Sequence, residues 1–343
     1  MGLSSQRAAA VERVKASKVI SGASRAPESV NGAHALAEGL SVAVLLGPAD
    51  GSIHMELAIS ELRPGGRIQG HIHPFEESFF LLSGSVVLTL AGQTYRLREN
   101  DFGFAPIGIA HSWHNAGSEP ARWLRVRAPQ PRPIGEAVGT YPAPRAFGVD
   151  SATNLGADAR PVDELDPFVR FMGHFSEEDM PAPGPLSMPG YHGHNVRGVS
   201  IRMMVDEVLG ARHHTLFMVE FTPSTGEMPG AKEHFHPFEE AFFFVSGSAR
   251  ASLAGEEQDV RTGDLLFLGV NASHGIRNTG SDPVRWIEVQ APKPPPSDGF
   301  FFEDDWRIAD ADRRRAGGDQ RDHEDRREVA QDRRGARGGL KLG

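Results

Sequence analysis

Residues 71–85 read HIHPFEESFFLLSGS, and residues 234–248 read HFHPFEEAFFFVSGS. The register between the two copies holds as far as Pro129 and Pro292, and 27 of the 59 aligned positions are identical. The similarity also extends upstream, where the sequence from Gly39 resembles the sequence from Gly198. Because a repeat of this length is one structural unit, the chain is a duplicated domain.

The repeat divides the 343 residues into five predicted segments. They are an N-terminal extension (1–35), a first domain (36–129), a connection (130–197), a second domain (198–306) and a charged tail (307–343). In the extension we expect one helix near Gln6 to Ile20. In the connection we expect Phe168 to Phe175 to pack on a barrel. The tail is rich in Arg, Asp and Gly with almost no large apolar side chains, so its composition predicts disorder.

Inside each half the pattern is that of an all-β fold. Short runs rich in β-forming residues are separated by Gly, Pro, Asn or Asp, which is typical of a sandwich or a closed barrel. In the first half these runs are Ser41 to Leu46, His54 to Leu62, Phe79 to Leu90, Gln93 to Leu97, Gly103 to Pro106 and Arg122 to Arg127. Ala91-Gly92 and Ala254-Gly255 are predicted hairpin turns, and Pro64-Gly65-Gly66 a further turn.

Composition narrows the functional classes. The chain has no cysteine and fifteen histidines, which excludes disulfides, thiolate metal sites and cysteine nucleophiles. A net charge of −9 argues against a nucleic-acid partner. No apolar run approaches the ~18 residues of a membrane span, and the N-terminus lacks the apolar stretch of a signal peptide. The sequence therefore predicts a cytoplasmic protein that binds neither nucleic acid nor membrane.

The repeated histidines have the spacing of a metal site. Two histidines lie two residues apart on an extended run, so both rings point to one side. A glutamate follows four residues later, and a third histidine comes after a downstream turn. The first half supplies His71, His73, Glu77 and His111, and the second supplies His234, His236, Glu240 and His274. Three imidazoles and one carboxylate from neighbouring strands predict one divalent metal in each half.

At these residues the chain resembles the cupin superfamily. The first cupin motif, G-x5-H-x-H-x3-E-x6-G, is matched in the first half by Gly65, His71, His73, Glu77 and Gly84. The second motif, G-x5-P-x-G-x2-H-x3-N, is matched by Pro106, Gly108, His111 and Asn115, with Asn100 at its leading Gly.

The second half departs from these motifs only at turn positions. Its matching residues are His234, His236, Glu240, Gly247, Gly263, His274 and Asn278. Met228 stands at the leading Gly of the first motif, and Gly269 and Asn271 replace the Pro and Gly of the second. The resemblance implies a bicupin, with two tandem double-stranded β-helix (jelly-roll) barrels.

An open site of three histidines and one glutamate suits Fe(II) or Mn(II), with Ni(II) or Zn(II) as further candidates. Strand alternation predicts an apolar substrate pocket around each metal. Its expected lining is Phe79, Leu81 and Trp113 in the first half and Phe242, Phe244 and Ile276 in the second. Phe80 and Phe243 face the other way and are candidates for an interface between copies of the chain.

Three residues are candidates for a catalytic role. Glu76 and Glu239 directly precede the metal-binding glutamates, and either orient an imidazole, lie at the surface or act as a general base. Trp113 lies two residues from His111 and is the third candidate.

Three functional classes stay open at this point. The first is a dioxygenase that acts with O2 on a small hydrophobic or aromatic oxygen-bearing substrate. The second is a non-oxidative lyase or decarboxylase, isomerase or aminohydrolase that uses the metal as a Lewis acid. The third is a cupin that binds a small molecule without catalysis. The open coordination and the aromatic lining favour the dioxygenase.

Overall fold

A computed structural model describes the protein over 17–30, 36–131, 139–144, 159–164, 171–183, 187–188, 191–192, 195–224, 229–295, 299–302 and 304. Residues 1–300 form one compact unit, and residues 301–343 form a second unit that is described only at 301, 302 and 304. Residues 6–16 of the predicted helix, Met228 and the predicted tail lie outside the described residues. The helical segments among the described residues are short, and none has the length and apolar character of a membrane-crossing helix.

The described chain is built from β-strands, numbered here in chain order. In the first half they are β1 (Lys18–Ser21), β2 (Glu28–Ser29), β3 (Ala37–Leu46), β4 (Glu56–Ile72), β5 (Glu76–Ser83), β6 (Ser85–Leu90), β7 (Gln93–Arg98), β8 (Asp101–Ala105), β9 (His111–His114) and β10 (Ala121–Ala128). In the connection they are β11 (Tyr141–Pro142), β12 (Arg160–Pro161), β13 (Met172–His174), β14 (Ser187–Met188), β15 (Tyr191–His192) and β16 (Val196–Arg197).

The second half repeats the pattern of the first. Its strands are β17 (Val199–Val205), β18 (Thr215–Phe221), β19 (Gly230–Phe235), β20 (Glu239–Ser246), β21 (Ser248–Leu253), β22 (Glu256–Arg261), β23 (Asp264–Leu268), β24 (His274–Arg277), β25 (Val284–Ala291) and β26 (Phe301–Phe302). Single 3-10 turns occupy Gly22–Ser24, Pro48–Asp50, Val162–Glu164 and Glu177–Asp179.

Each half curls its strands into a barrel. In the first half one twelve-stranded sheet has the order β12-β7-β6-β9-β4-β10-β5-β8-β13, with β2, β3 and β11 attached beside it. The long strand β4 joins its two walls, because it pairs with β10 near its start and with β9 near its end. The second half has two sheets, ordered β1-β23-β20-β25-β18-β17 and β16-β19-β24-β21-β22. The predicted all-β fold with two cupin-type barrels is confirmed.

The halves exchange edge strands. Strand β1 lies before the first barrel in sequence, yet it pairs antiparallel with β23 of the second barrel, with Ile20 opposite Leu265. Strand β13, from the connection, pairs in the same way with β8 of the first barrel. The expectation that the segment around Phe175 packs on a barrel is thus confirmed for its described part. Each exchanged strand covers an edge that would otherwise expose unpaired backbone groups.

Side chains of alternating direction fill two separate cores. Phe79 and Leu81 point into the first barrel, where they pack with Trp113 and Trp123. Phe80 points out of that barrel into a second core, which it shares with Phe243 and other side chains of the second half. The two outward phenylalanines therefore do serve an interface, but it is the interface between the two halves of one chain.

Several local expectations are confirmed and two are wrong. Ala91-Gly92 and Ala254-Gly255 form tight turns in which all four residues have positive φ. The described end of the predicted N-terminal helix is strand instead, because Lys18–Ser21 pairs with β23. Pro64-Gly65-Gly66 does not end a strand. Strand β4 runs through it, and Gly65 and Gly66 exchange backbone hydrogen bonds with Asn115.

The asparagines that replace motif glycines occupy the same backbone conformation as those glycines. Asn100 has φ 69° where the second half has Gly263 at φ 87°, and Asn271 has φ 59° where the first half has Gly108 at φ 71°. Asparagine tolerates this left-handed region better than other non-glycine residues. These departures from the cupin motifs therefore leave the turns intact.

Gly84 closes the first motif at a point where the backbone leaves no room for a side chain. Its φ is +77°, and a Cβ built on it would lie 2.4 Å from Pro120 O. Gly247 repeats the arrangement, with a Cβ position 2.7 Å from Pro283 O. Gly92 has a similar φ of +79° but no atom within 4 Å of a Cβ.

The pair Gly84→Ala and Gly92→Ala separates steric contact from backbone strain. Both variants place alanine in the left-handed region, which costs about 1–2 kcal/mol. G84A adds a clash with a backbone oxygen, so we expect it to lower the free energy of unfolding by at least about 2 kcal/mol more than G92A. Urea denaturation of the two variants and wild type measures the difference, and equal losses would contradict the assignment.

Candidate metal centres

The predicted ligands meet at two places, one in each barrel. Centre 1 is His71, His73, Glu77 and His111, and centre 2 is His234, His236, Glu240 and His274. Strand pairing creates each cluster, because His71 lies directly opposite His111 between β4 and β9, and His234 lies opposite His274 between β19 and β24. In both centres one ring nitrogen from each of the three histidines lies within 4.8 Å of the other two. All eight side chains are buried.

Hydrogen bonds to backbone carbonyls fix the orientation of all six rings. The Nδ1 atoms of His71, His73 and His111 donate to the carbonyl oxygens of Gln69, Phe75 and Ile109 at 2.8, 2.8 and 3.0 Å. Those of His234, His236 and His274 donate to Lys232, Phe238 and Ala272 at 2.7, 2.8 and 2.9 Å. A carbonyl can only accept, so Nδ1 carries the proton and the lone pair of each neutral ring lies on Nε2.

These Nε2 atoms are the observation that favours a metal. Those of His73, His111, His236 and His274 are buried and have no hydrogen-bond partner. Burial lowers the pKa of His73 to about 4, and burial with the neighbouring His111 keeps the pKa of His71 well below its usual range. Buried acceptors without a partner are costly, and three convergent neutral imidazoles are good ligands for a divalent cation.

The glutamates stand beside the same nitrogen atoms. In centre 2, Glu240 Oε2 lies 3.0 Å from His236 Nε2 and 3.5 Å from His274 Nε2. In centre 1, Glu77 Oε2 lies 3.8 Å from His73 Nε2. Burial would raise the pKa of Glu240, but His236 and His274 outweigh it and lower that pKa. A carboxylate that faces an electron pair on nitrogen needs a metal ion or a proton between them, and the donor sets fit one divalent metal each.

The two centres differ on the strand that pairs with the strand of the metal-binding glutamate. This strand is β10 in the first half and β25 in the second. In centre 1, Arg127 Nε donates to Glu77 Oε2 at 2.7 Å, and Arg125 and Arg127 both lie near Glu56 Oε1, at 3.5 and 3.6 Å. In centre 2, Gln290 replaces Arg127 and Glu288 replaces Arg125.

Gln290 donates from Nε2 to Glu240 Oε1 at 2.9 Å and to Glu288 Oε1 at 3.0 Å. The sequence prediction missed these residues, although the signal was visible in the repeat. The aligned segments WLRVRAP and WIEVQAP differ at two inward positions that change charge.

Aromatic rings cover one histidine in each centre. Phe75 stacks on His73 with ring centroids 4.2 Å apart, and the Arg127 guanidinium lies 5.0 Å from the centroid of Phe75. Phe238 stacks on His236 at 4.1 Å. In centre 2 a further ring, Phe300, lies 5.8 Å from His234 and 5.5 Å from His236. Phe300 lies outside both motifs, so no motif pointed to it.

Glu76 and Glu239 do not orient a metal-site imidazole. Each binds the loop of the opposite half. Glu76 accepts hydrogen bonds from the backbone N–H groups of Arg212 and His213 at 2.7 and 3.0 Å and from His214 Nδ1 at 3.1 Å.

Glu239 makes the reciprocal set of contacts. It accepts from Ile53 N and His54 N at 2.8 and 3.0 Å and from Ser52 Oγ at 2.8 Å. With both oxygens of each carboxylate engaged, the predicted orienting role passes to backbone carbonyls.

Ser78, His214 and Glu76 form a hydrogen-bonded chain of the kind that activates a serine nucleophile. Ser78 Oγ donates to His214 Nε2 at 2.6 Å, and His214 Nδ1 donates to Glu76. Ser78 and His214 are both completely inaccessible to solvent. A substrate carbonyl cannot reach such a hydroxyl. The hydrogen bonds of these three side chains instead hold the two halves together.

The predicted pocket residues lie in the barrel interiors. Phe79 packs edge-on against Trp113 at 5.0 Å, and Trp113 stacks on Trp123 at 5.1 Å. Phe242 and Phe244 pack against Trp286 at 5.3 and 5.7 Å. Leu81 and Ile276 are likewise buried. These contacts make the interiors apolar, and whether the same side chains also touch a substrate stays a prediction, as does a catalytic role for Trp113.

A cavity of about 710 Å³ lies elsewhere, beside the interface between the barrels. Its lining includes Phe80, Leu82, Phe243 and Arg285, and none of the eight predicted ligands. The histidine clusters are the candidate metal sites, whereas this cavity is a gap between two packed outer sheet faces.

Comparison with known proteins agrees with this architecture. Residues 58–127 and 217–290 each match the family described as "Cupin domain". The chain is 34% identical over 110 residues to the tetracenomycin polyketide synthase protein TcmJ of Streptomyces glaucescens, a match that covers 31% of this chain and 74% of TcmJ. It is 40% identical over 81 residues to polyketide synthase CurC of Streptomyces cyaneus, covering 22% of this chain and about half (51%) of CurC. The chain belongs to the cupin family, and its two matched regions make it a bicupin.

Solved structures support the two-barrel arrangement. The oxalate decarboxylase of Lactobacillus farciminis, in a formate complex, superposes with a TM-score of 0.58 over 85% of this chain and 90% of its own. Its sequence identity is 19%, so this similarity concerns the fold.

The buried histidines predict how stability depends on pH in the metal-free protein. The folded pKa values of His71, His73 and His234 lie below the usual value, so as pH falls below about 6.5 the unfolded chain takes up protons that the folded chain does not. Stability therefore decreases with falling pH, by about 1 kcal/mol for each such histidine at about pH 5.5.

Urea unfolding of chelator-treated protein at pH 7.5 and about pH 5.5 measures this loss. The variant His73→Gln removes one such group, so its loss between the two pH values should be smaller than that of wild type. Equal losses would rule out a contribution from His73.

Proposed function

We propose that the protein is a metal-dependent bicupin dioxygenase that acts with O2 on a small aromatic or enolic substrate carrying oxygen. The observation that carries the proposal is the set of buried, partnerless Nε2 atoms beside a carboxylate in each barrel. These costly groups favour a metal-dependent protein over a barrel that binds its ligand without a metal.

The proposed metal is Fe(II) or Mn(II), one per barrel, with Ni(II) or Zn(II) as alternatives. Three imidazoles and one carboxylate leave one or two positions open in five- or six-coordinate geometry, whereas structural zinc prefers a closed tetrahedron. When bound, such a metal polarises oxygen groups of a substrate and, if redox-active, supports O2 chemistry.

The chain's own residues hold and prepare this site. The carbonyls of Gln69, Phe75 and Ile109 fix the histidine tautomers in centre 1, so that Nε2 faces the ligand position. Phe75 packs flat against His73 and helps to exclude water from that ring. Such outer contacts usually tune both metal affinity and ligand orientation.

The substrate class rests on two lines of support. The interiors next to the centres are aromatic and apolar, which suits a ring-bearing substrate. The relatives TcmJ and CurC are named as polyketide synthase proteins. Polyketide chains carry β-dicarbonyl groups and their cyclised forms are phenols, and both offer adjacent or alternating oxygen atoms to a metal.

The two glutamates predicted as candidate bases do not supply a proton donor, which weighs against Lewis-acid chemistry through them. A decarboxylase or aminohydrolase needs a group that delivers a proton to the reacting atom. Among the described residues, Glu76 and Glu239 are the nearest additional carboxylates in sequence. Their oxygens accept hydrogen bonds from the opposite half. Insertion of both atoms of O2 with cleavage of a C–C bond takes its electrons from the substrate and needs no such donor.

Ligand variants test the metal assignment by stoichiometry. Wild type should bind two equivalents of Mn(II) or Fe(II) under anaerobic conditions. His236→Ala or Glu240→Ala should bind one, as should His73→Ala, because each removes a ligand from one centre while the other stays complete. His54→Ala, a histidine outside both centres, is the control and should bind two. Atomic emission measures the metal content of each variant, and circular dichroism checks that the variant folds. Two equivalents in Glu240→Ala would make the assignment of that ligand wrong.

Turnover tests the reaction class. Protein reconstituted with Fe(II) or Mn(II) is offered a panel of phenols and 1,3-diketones while an oxygen electrode records consumption. With 18O2 the product should gain two labelled oxygen atoms, and the double variant His73→Ala/His236→Ala should be inactive. Conversion of a substrate without O2 would overturn the dioxygenase in favour of Lewis-acid chemistry. Binding without conversion of any substrate in the panel would favour a binding module.

A further inference from the structure

We propose that Arg127 assigns the two centres different tasks, making centre 1 the centre that binds an anionic oxygen ligand and leaving centre 2 as the centre that holds its metal more tightly. The proposal rests on the proposed function, since it requires a divalent metal in both barrels. Arg127 acts through Glu77 and is therefore a positioning residue.

Centre 1 has a balanced charge before any metal binds. The two carboxylates Glu77 and Glu56 face the two guanidinium groups of Arg127 and Arg125. Burial and then the proximity of Arg127 lower the pKa of Arg125 to about 10, which still leaves it charged at neutral pH. The four side chains lie mostly within the protein, with exposed fractions of 5, 17, 14 and 10% for Glu77, Glu56, Arg127 and Arg125. A divalent metal would therefore keep its two positive charges.

Centre 2 has no such balance. Glu240 contacts His236, His274 and Gln290, and among the residues that the structure describes it has no lysine or arginine partner. Glu288 stands where Arg125 stands in centre 1, held by Gln290 and by Trp286 Nε1 at 3.0 Å. Burial and the charge of Glu240 raise the pKa of Glu288. With Glu288 protonated the site carries one negative charge, and with Glu288 ionised it carries two.

At least one unit of charge therefore separates the two centres. At distances of a few ångströms and an effective dielectric constant of about 20, one unit charge changes an ionic affinity by about tenfold or more. The more negative centre 2 attracts a cation more strongly. The metal in centre 1 keeps more positive charge and so attracts an anion more strongly, such as a carboxylate, phenolate or enolate.

The aromatic ring that covers two histidines of centre 2 also favours anion binding at centre 1. Phe300 lies against His234, His236 and Phe238, with the Phe238 ring 5.4 Å away. Its aromatic ring adds an apolar contact on the histidine side of centre 2. This ring adds no group that would attract an anion to centre 2.

Azide binding to Co(II)-loaded protein tests the proposal, because azide is a small anionic probe and Co(II) has visible absorption that changes with its ligands. Centre 1 is isolated in the variant His236→Ala/His274→Ala, and centre 2 in His73→Ala/His111→Ala. We expect azide to bind isolated centre 1 at least about tenfold more tightly than isolated centre 2, and Co(II) to show the opposite order.

Arg127→Gln, made in the isolated centre 1, should weaken azide binding about tenfold and strengthen Co(II) binding. Arg127→Lys keeps the charge and should retain most of the azide affinity, which separates charge from packing. Arg122→Gln is the matched control. It lies on the same strand β10, it removes the same charge, and its side chain is 52% exposed beside Glu61. It should change neither affinity.

The outcomes separate this inference from the function on which it rests. If neither isolated centre binds Co(II), the metal assignment is wrong and the inference falls with it. If both centres bind Co(II) but bind azide equally, or if Arg127→Gln leaves azide affinity unchanged, the inference alone is overturned. A fall in azide affinity that is the same for Arg127→Gln and Arg127→Lys would also overturn it, because charge would not be the cause.

Discussion

The alternation of side chains along β5 and β20 governs the whole molecule. Consecutive residues on a strand face opposite sides, so the paired glutamates in each EE sequence point in opposite directions. Glu77 and Glu240 enter the metal centres, while Glu76 and Glu239 leave the barrel and accept backbone N–H groups of the other half. One strand thus forms a wall of a candidate active centre and a face of the interface between halves.

Single residues of these shared strands bind the two barrels to each other. The contacts are reciprocal: Glu76 holds the loop at Arg212 and His213, and Glu239 holds the equivalent loop at Ile53 and His54. Each carboxylate is buried and satisfied by backbone donors, which makes such contacts hard to replace. Together with the exchanged strands β1 and β13 they explain why residues 1–300 form one compact unit although they contain two barrels.

Much of this arrangement is visible in the sequence, and the limits have physical causes. The eight ligands and the inward direction of Phe79 follow from spacing and strand period, which are local properties. The exchanged strand at Lys18–Ser21 does not, because its partner β23 lies more than 200 residues away in sequence and pairing overrides local helix propensity. The role of Glu76 was missed for the same reason, since its donors lie in the other half. Pro64-Gly65 was misjudged because a strand can bend through a glycine with positive φ and keep its ladder.

The two repeats differ at positions that make their metal centres unequal. All eight candidate ligands are identical in the two halves, so the ligand set alone describes two equal centres. The strand next to the metal-binding glutamate breaks this equality, since Arg125 and Arg127 in one half correspond to Glu288 and Gln290 in the other. A buried arginine and a buried glutamate in equivalent positions are each costly unless their surroundings compensate. In centre 1 the compensation comes from Glu56 and Glu77, and in centre 2 from Gln290, Trp286 and a raised pKa of Glu288. The buried charged side chain of each half is thus compensated by groups of the same half. This is the arrangement expected of two centres with unlike tasks.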